Sequence, residues 1–519
     1  MHALNRRPAA LLTTLLLSVV AAGPAQGQSG PPDELPAAQI RALTRERVPE
    51  ALSLYREFLS LPNVAGYPED ILRLVEWMEF AFAERGFLTR RIPMKGSPLL
   101  YAERPNPAAE RTVLVYLQAD GQPVDPKAWL QDDPFEPVLK ERDRLGNWQE
   151  IPWNSLEDER NPDWRIFARS ASDSKGPMTQ FMTAIDALNE IGFVLPYSLK
   201  VIIDTEEELG SPHLPEAVEA HGELLAADMQ LIFDTPLHAS NEPTVTFGAR
   251  GISMITLTVH GPRVPQHSGL YGNFVPNPVF HLAHILSSMK SPDGRVLIPG
   301  FYEGVAIDDA VGEQLAAVPD DEAAILRQMG VARADAVAPS LQESLQYPSL
   351  NVRGLASGWV GDEARTIIPA TATAEIDIRL VKESDPDRLV RLVREHIEGL
   401  GYHVIDREPT DAERRQHARL VTFTSSFAYN AFRSDFDSPP GLMARAGLEH
   451  LYGEEPILIR TIGGSIPIAP FVDTLDVPAA IVPTVNIDNN QHSPNENLRL
   501  GNFVEGIAMI MAVLSRTPP

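Results

Sequence analysis

The stretch LKVIIDTEEELGS, residues 199–211, decides the fold. From Val201 to Ile203 it is apolar without polar alternation, the pattern of a strand buried on both faces. It then breaks into Asp204, Thr205 and three consecutive glutamates, Glu206 to Glu208, before Gly210 and Ser211. Runs of the same kind lie upstream at Thr112 to Gln118 (TVLVYLQ) and downstream at Leu231 to Asp234. Between the first two, a helix is predicted to open at Pro177, with Met178, Phe181, Met182, Ile185 and Leu188 on one face. Buried strands alternating with helices predict an α/β domain, a mostly parallel sheet covered by helices. Helical spacing at 38–60 and 68–86 precedes it, and a strand at 479–486 with a helix at 500–514 closes it.

From Gly248 the pattern changes to amphipathic strands (253–260, 349–354, 371–381) with helices near 278–289 and 385–400 and a last strand near 403–406. That order predicts a small α+β, ferredoxin-like domain inserted in the larger one, with a proline- and acid-rich excursion at 299–347. The expected divisions are 1–27, 28–247, 248–410 and 411–519, the second and fourth forming one domain. In the first, Arg6-Arg7, the apolar run Ala9 to Ala22 and Ala25-Gln26-Gly27 have the order of a signal peptide, cut after Gly27. The expected product is exported, periplasmic or secreted. The run is well short of the roughly 20 residues that span a bilayer, so no membrane association is expected after cleavage.

The 519 residues carry a formal charge of −26 and no cysteine. A surface so acidic repels phosphate backbones, which argues against a nucleic-acid partner. Without cysteine there is no thiol nucleophile, disulfide or thiolate metal site. In an open parallel sheet, ligands sit beyond the carboxyl ends of the strands. Those ends carry Gln118 and Asp120, Asp173 ahead of the Pro177 helix, Glu206 to Glu208, and Asp234; His492 lies between the last strand and helix. Singly, each is an ordinary turn, cap or solvated loop residue. Together they suggest a cation, because adjacent buried carboxylates repel unless protons or a metal neutralise them. A metal also supplies a nucleophile, since Zn²⁺ can bring the pKa of bound water to about 7.

These segments resemble, in order, the carnosine dipeptidase/aminoacylase/desuccinylase family of co-catalytic metallopeptidases, nearest its carnosine dipeptidase-like branch. The strings are DGQPVDPKAW (120–129), ARSASDSKGPM (168–178), EEELGSP (206–212), DTPL (234–237), FGARG (247–251), QHSGLYGNFVPNP (266–278), ARTIIPA (364–370), IDIRLV (376–381), IGGSIP (462–467) and NNQHSPNE (489–496). The resemblance implies that Asp173 bridges two metals, that Glu208 and His492 complete the first site, and that Asp234 belongs to the second. It makes Glu207 the general base and Asp120 the carboxylate that orients a metal-binding histidine. It places His267 at a neighbouring active site, across a homodimer formed through the inserted domain, as the oxyanion stabiliser. Arg379, Thr366 and the Gly463-Gly464-Ser465 backbone become substrate contacts. The implied activity is hydrolysis of an amide bond in a small peptide or an N-acyl amino acid, with a divalent metal, Zn²⁺ by family precedent.

Gln118 departs from this pattern, standing where the family has the histidine. An amide oxygen is a weaker donor to Zn²⁺ than imidazole. The expectation is therefore either one metal per chain or a second site holding Mn²⁺ or another oxygen-preferring ion. The same change leaves open a non-catalytic, ligand-binding member of the family. Ser172-Asp173-Ser174-Lys175 is formally the Ser-x-x-Lys motif of serine hydrolases, though the companion Ser-Asp-Asn and Lys-Thr-Gly motifs are missing.

Overall fold

The computed structural model describes residues 34–519. The expected signal segment lies outside them. Among the described residues, no helix is long and apolar enough to cross a membrane. The larger sheet has eight strands in the order 88–92, 99–104, 198–204, 112–118, 229–232, 479–481, 244–246 and 457–459. Its four central strands, 198–204, 112–118, 229–232 and 479–481, are all parallel. Antiparallel pairs enter toward both edges, so the sheet is mixed. Strand Thr112–Gln118 shows how a continuous apolar run serves two layers. Val113, Val115 and Leu117 join one hydrophobic core, while Leu114 and Tyr116 join the other. The first core is closed by helices Ala37–Leu59, Lys175–Glu190, Pro439–Tyr452 and Leu500–Leu514.

A four-stranded antiparallel sheet joins 138–142, 148–151, 165–167 and 497–499. Its pairing of Arg165–Phe167 with Asn497–Arg499 brings the segment ahead of the Lys175 helix against the segment ahead of the last helix. Asp173 and His492, 319 residues apart, meet for that reason.

The second sheet has five strands, in the order 349–356, 371–380, 251–260, 420–429 and 403–405. Ile255, Leu257 and Val259 pack there with Leu282 and Ile285 of one helix and Leu389, Val393 and Ile397 of another. The expected end of the inserted domain at 410 is corrected: strand Leu420–Tyr429 pairs with Gly251–His260 over its length and stays in this sheet. Its inner residues (Leu420, Val421, Phe423) alternate with threonines and then give way to exposed Thr-Ser-Ser-Phe, so no buried run announces it. The two chain crossings between sheets run side by side, Gly248–Ala249 pairing with Phe432–Arg433. A side chain at Gly251 would meet the Ala431 nitrogen at 2.5 Å, so only glycine fits that crossing.

Candidate metal centre

Asp120 begins the site. It follows strand Thr112–Gln118 and is fully buried; its two oxygens accept the backbone N–H groups of Glu207 and Glu208, each at 3.0 Å. This fixes the one-turn helix Glu207–Leu209 that follows strand Ser198–Asp204. Asp120 therefore orients the glutamate turn. It accepts nothing from Gln118, whose amide is engaged elsewhere.

Asp173, Glu208 and His492 each bring one ligand atom within 4.8 Å of the others, a grouping able to hold a metal ion. His492 Nε2 lies 3.1 Å from Asp173 Oδ2 and 3.3 Å from Glu208 Oε2. Both carboxylates are buried, while the imidazole is 57% exposed and leaves one side of the grouping open to solvent. Gln122 donates to Glu208 Oε2 at 2.7 Å. Burial, then Asp173, pushes Glu208 up to about 8. Its hydrogen bond to Asp173 raises His492 to about 9, with Glu208 adding to the effect. Glu207 is raised well above the carboxylate range by burial, then by Glu208, Asp173, Asp234 and Asp120. With an effective dielectric near 20, two like charges about 4 Å apart repel by roughly 4 kcal/mol. A divalent ion among these groups replaces that repulsion with attraction, so the donor set fits a hard or borderline cation.

Around Asp234 the arrangement differs. Asp234 Oδ1 accepts from Ser174 Oγ at 2.8 Å. Gln118 Nε2 donates to Asp173 Oδ1 at 2.5 Å and to Ser174 Oγ at 3.0 Å. A chain of donors, Gln118 to Ser174 to Asp234, thus links the groups that a second metal would join. Gln118 Oε1 is buried without a partner. Exchanging the two ends of the amide would set that oxygen against a carboxylate oxygen, a contact tolerable only with a proton or a cation between them. Burial, followed by Asp173, lifts Asp234 to about 7.

Glu496 organises the loop that carries Asp173, a role its place in NNQHSPNE does not reveal. Buried, it accepts from Arg169 Nη1 at 2.8 Å and from Ser172 Oγ at 3.0 Å. It also accepts the backbone N–H groups of Ser170, Ser172 and Asp173, all at 2.9 Å. Glu496→Ala would strand the buried Arg169 charge and those donors. Loss of one partner of such a pair costs about 3–5 kcal/mol, so urea denaturation should show destabilisation of that order, whereas a loss below about 1 kcal/mol would mean the loop does not depend on Glu496.

The serine-hydrolase reading finds no support in this geometry. Ser172 Oγ is committed to Glu496. Lys175 Nζ donates to the Leu61 carbonyl and sits over the Phe58 ring. Burial lowers the lysine to about 7. Asp173, expected as a helix cap in its ordinary reading, is instead followed by Ser174 at the N-cap.

Of the expected substrate contacts, Arg379 and Ser465 meet: Arg379 Nη1 donates to Ser465 Oγ at 2.8 Å, with Asp377 3.5 Å from the guanidinium. The Gly464 carbonyl accepts the Arg250 N–H, and a side chain at Gly463 would run into Leu345. Tyr429 joins them without any sequence signal. A Cβ on Gly210 would sit 3.8 Å from its ring. Burial, then Glu207, pushes its hydroxyl up to about 12, while Arg379 and a hydrogen bond to Ser465 pull it back. His267 is exposed, capping a short helix by accepting the Gly269 N–H at 3.0 Å. Thr366 is its neighbour, through Ser268 N–H to the Thr366 carbonyl at 3.0 Å. Neither bonds to the metal grouping within one chain.

Comparison with known proteins agrees with this architecture. The Peptidase dimerisation domain of the M20 family matches residues 247–404. A Cys-Gly metallodipeptidase of Schizosaccharomyces pombe is 28% identical over 434 residues, 79% of this chain and 81% of that protein. A human Beta-Ala-His dipeptidase is 26% identical over 422 residues, 80% of this chain and 76% of that one. The crystal structure of an M20 family metallo-carboxypeptidase from Sulfolobus solfataricus superposes with a TM-score of 0.75 at 26% identity, covering 90% of this chain and 98% of that one. With its buried carboxylate and imidazole grouping, its two-sheet fold and these relatives, the chain is a metal-dependent hydrolase of small peptides, similar over most of its length to M20 family peptidases and to a Beta-Ala-His dipeptidase.

Proposed function

We propose that this chain hydrolyses the amide bond of a dipeptide, of a peptide's carboxyl-terminal residue or of an N-acyl amino acid, using one divalent metal per chain. The observation that carries the reading is the convergence of Asp173, Glu208 and His492 from three separate segments beside the half-buried Glu207. An ion held by those three residues would act as a Lewis acid toward water and the scissile carbonyl. Glu207, lifted in pKa by its surroundings, takes the proton of the attacking water and passes it to the leaving nitrogen. Asp120 keeps the Glu207 turn in place. Arg379 and Ser465 bind a substrate carboxylate or carbonyl at the end of strand Thr371–Leu380 in the second sheet. His267 stabilises the developing oxyanion in the site of a partner subunit. Its exposure beside exposed Leu270, Tyr271, Phe274 and Phe280 supports a dimer through this region.

The donor chain through Gln118 and Ser174 favours a single ion, with Zn²⁺ suited to the His492 imidazole and Mn²⁺ to the oxygens. The signal-like order of the first 27 residues supports export of the mature chain from the cytoplasm. Metal titration tests the site. A divalent ion at about 1,000 times its Kd should stabilise the fold by about 4 kcal/mol, seen as a rise in Tm, and His492→Ala should abolish most of that rise. An equal rise in the variant would put the ion elsewhere.

A further inference from the structure

Outside the metal centre, a cleft of about 510 Å³ lies where the first and last helices meet the loop that leaves Asp234. None of the residues assigned to catalysis or metal binding lines it. Its walls hold four arginines, Arg41, Arg45, Arg160 and Arg499, against a single carboxylate, Glu505. In a chain of net charge −26 this is a local reversal of sign. Two of the arginines are committed. Arg41 contacts both Glu505 oxygens at 3.3 Å and lies over the Tyr452 ring, and Arg499 pairs with Asp163 at 2.6 Å. Arg45 and Arg160 are exposed and, among the described residues, make no ion pair. Val48, Leu237, Leu500, Val504 and Met509 supply an apolar part of the lining. At one end, Asn502 donates to Asn241 at 2.7 Å and fixes the wall.

An apolar cleft of this size with a few fixed polar groups has the form of a small-molecule site. Its guanidinium groups select a carboxylate, and its floor selects a hydrocarbon chain. We propose that this cleft binds an apolar carboxylate, the head between Arg45 and Arg160 and the tail over Val504 and Met509. The same chemistry is offered by a free fatty acid and by a long-chain N-acyl amino acid.

Calorimetry on the full, metal-depleted chain with decanoate, N-decanoylglycine, acetate and octyl glucoside tests this. The expected result is one site per chain for decanoate or N-decanoylglycine, at least tenfold tighter than for acetate or octyl glucoside. Tighter binding of decanoate identifies the fatty acid, and tighter binding of N-decanoylglycine the acylated amino acid. Combining Arg45→Ala with Arg160→Ala should weaken that binding at least tenfold, with Tm and dipeptide turnover of the metal-loaded protein unchanged. Binding that survives both substitutions, or acetate binding as tight as decanoate, would overturn the proposal.

Discussion

Glu207→Gln is expected to keep its fold and its metal and to lose turnover by at least about 10²–10⁴-fold, the contribution typical of a positioned general base. The substitution is nearly isosteric, and the Glu207 backbone N–H that Asp120 accepts is untouched. The metal grouping of Asp173, Glu208 and His492 does not include the Glu207 side chain. What the variant lacks is an acceptor for the water proton in a site where carboxylate pKa values are driven upward by burial and by one another. Steady-state kinetics with metal analysis on the same preparation checks this. Activity within tenfold of wild type would assign the base elsewhere.

Wild-type protein is expected to hold one divalent ion per chain tightly, and Gln118→His to add a second. In the wild type the Gln118 amide nitrogen donates to Asp173, and Ser174 donates to Asp234, so the oxygens a second ion needs are engaged by protons. Imidazole at 118 would supply a neutral nitrogen ligand next to Asp173 and Asp234. Outer-shell changes alone alter metal affinity by about 10–100-fold, and gaining a direct ligand should do at least as much at the second site. Mass spectrometry of the native protein, or elemental analysis after dialysis, counts the ions. Two tightly held ions in the wild type would show that Gln118 turns its oxygen toward a metal and that the donor chain yields to it.

The four central strands of the larger sheet, 112–118, 198–204, 229–232 and 479–481, could be read in the sequence because their cores are buried apolar runs, whereas the four outer strands could not. The apolar Leu500–Leu514 helix could be read for the same reason. The hairpin 138–151 could not, since Lys140, Glu141, Gln149 and Glu150 interrupt any apolar run. The extension of the smaller sheet to Tyr429 was hidden likewise, its outer half being exposed serine and threonine. Residues of the site at strand ends were legible as chemistry, because carboxylates gathered there demand neutralisation. Glu496 and Tyr429 were not. Glu496 acts by accepting N–H groups from a loop more than 320 residues away, and Tyr429 depends on a strand that the pattern did not reveal. The orientation of the Gln118 amide is likewise set by neighbours, Asp173 and Ser174, that only the folded chain brings together.

A metal held at Asp173, Glu208 and His492 is expected to drive hydrolysis. The most direct measurement is a screen of dipeptides and N-acyl amino acids with the purified chain, as isolated, after chelation, and after return of Zn²⁺, Mn²⁺ or Co²⁺. The predicted result is cleavage of at least one substrate class, abolished by the chelator and restored by one of the ions. Metal-loaded protein that cleaves none of them, yet shifts its melting temperature with one, would contradict the account and make the chain a ligand-binding protein on a peptidase fold.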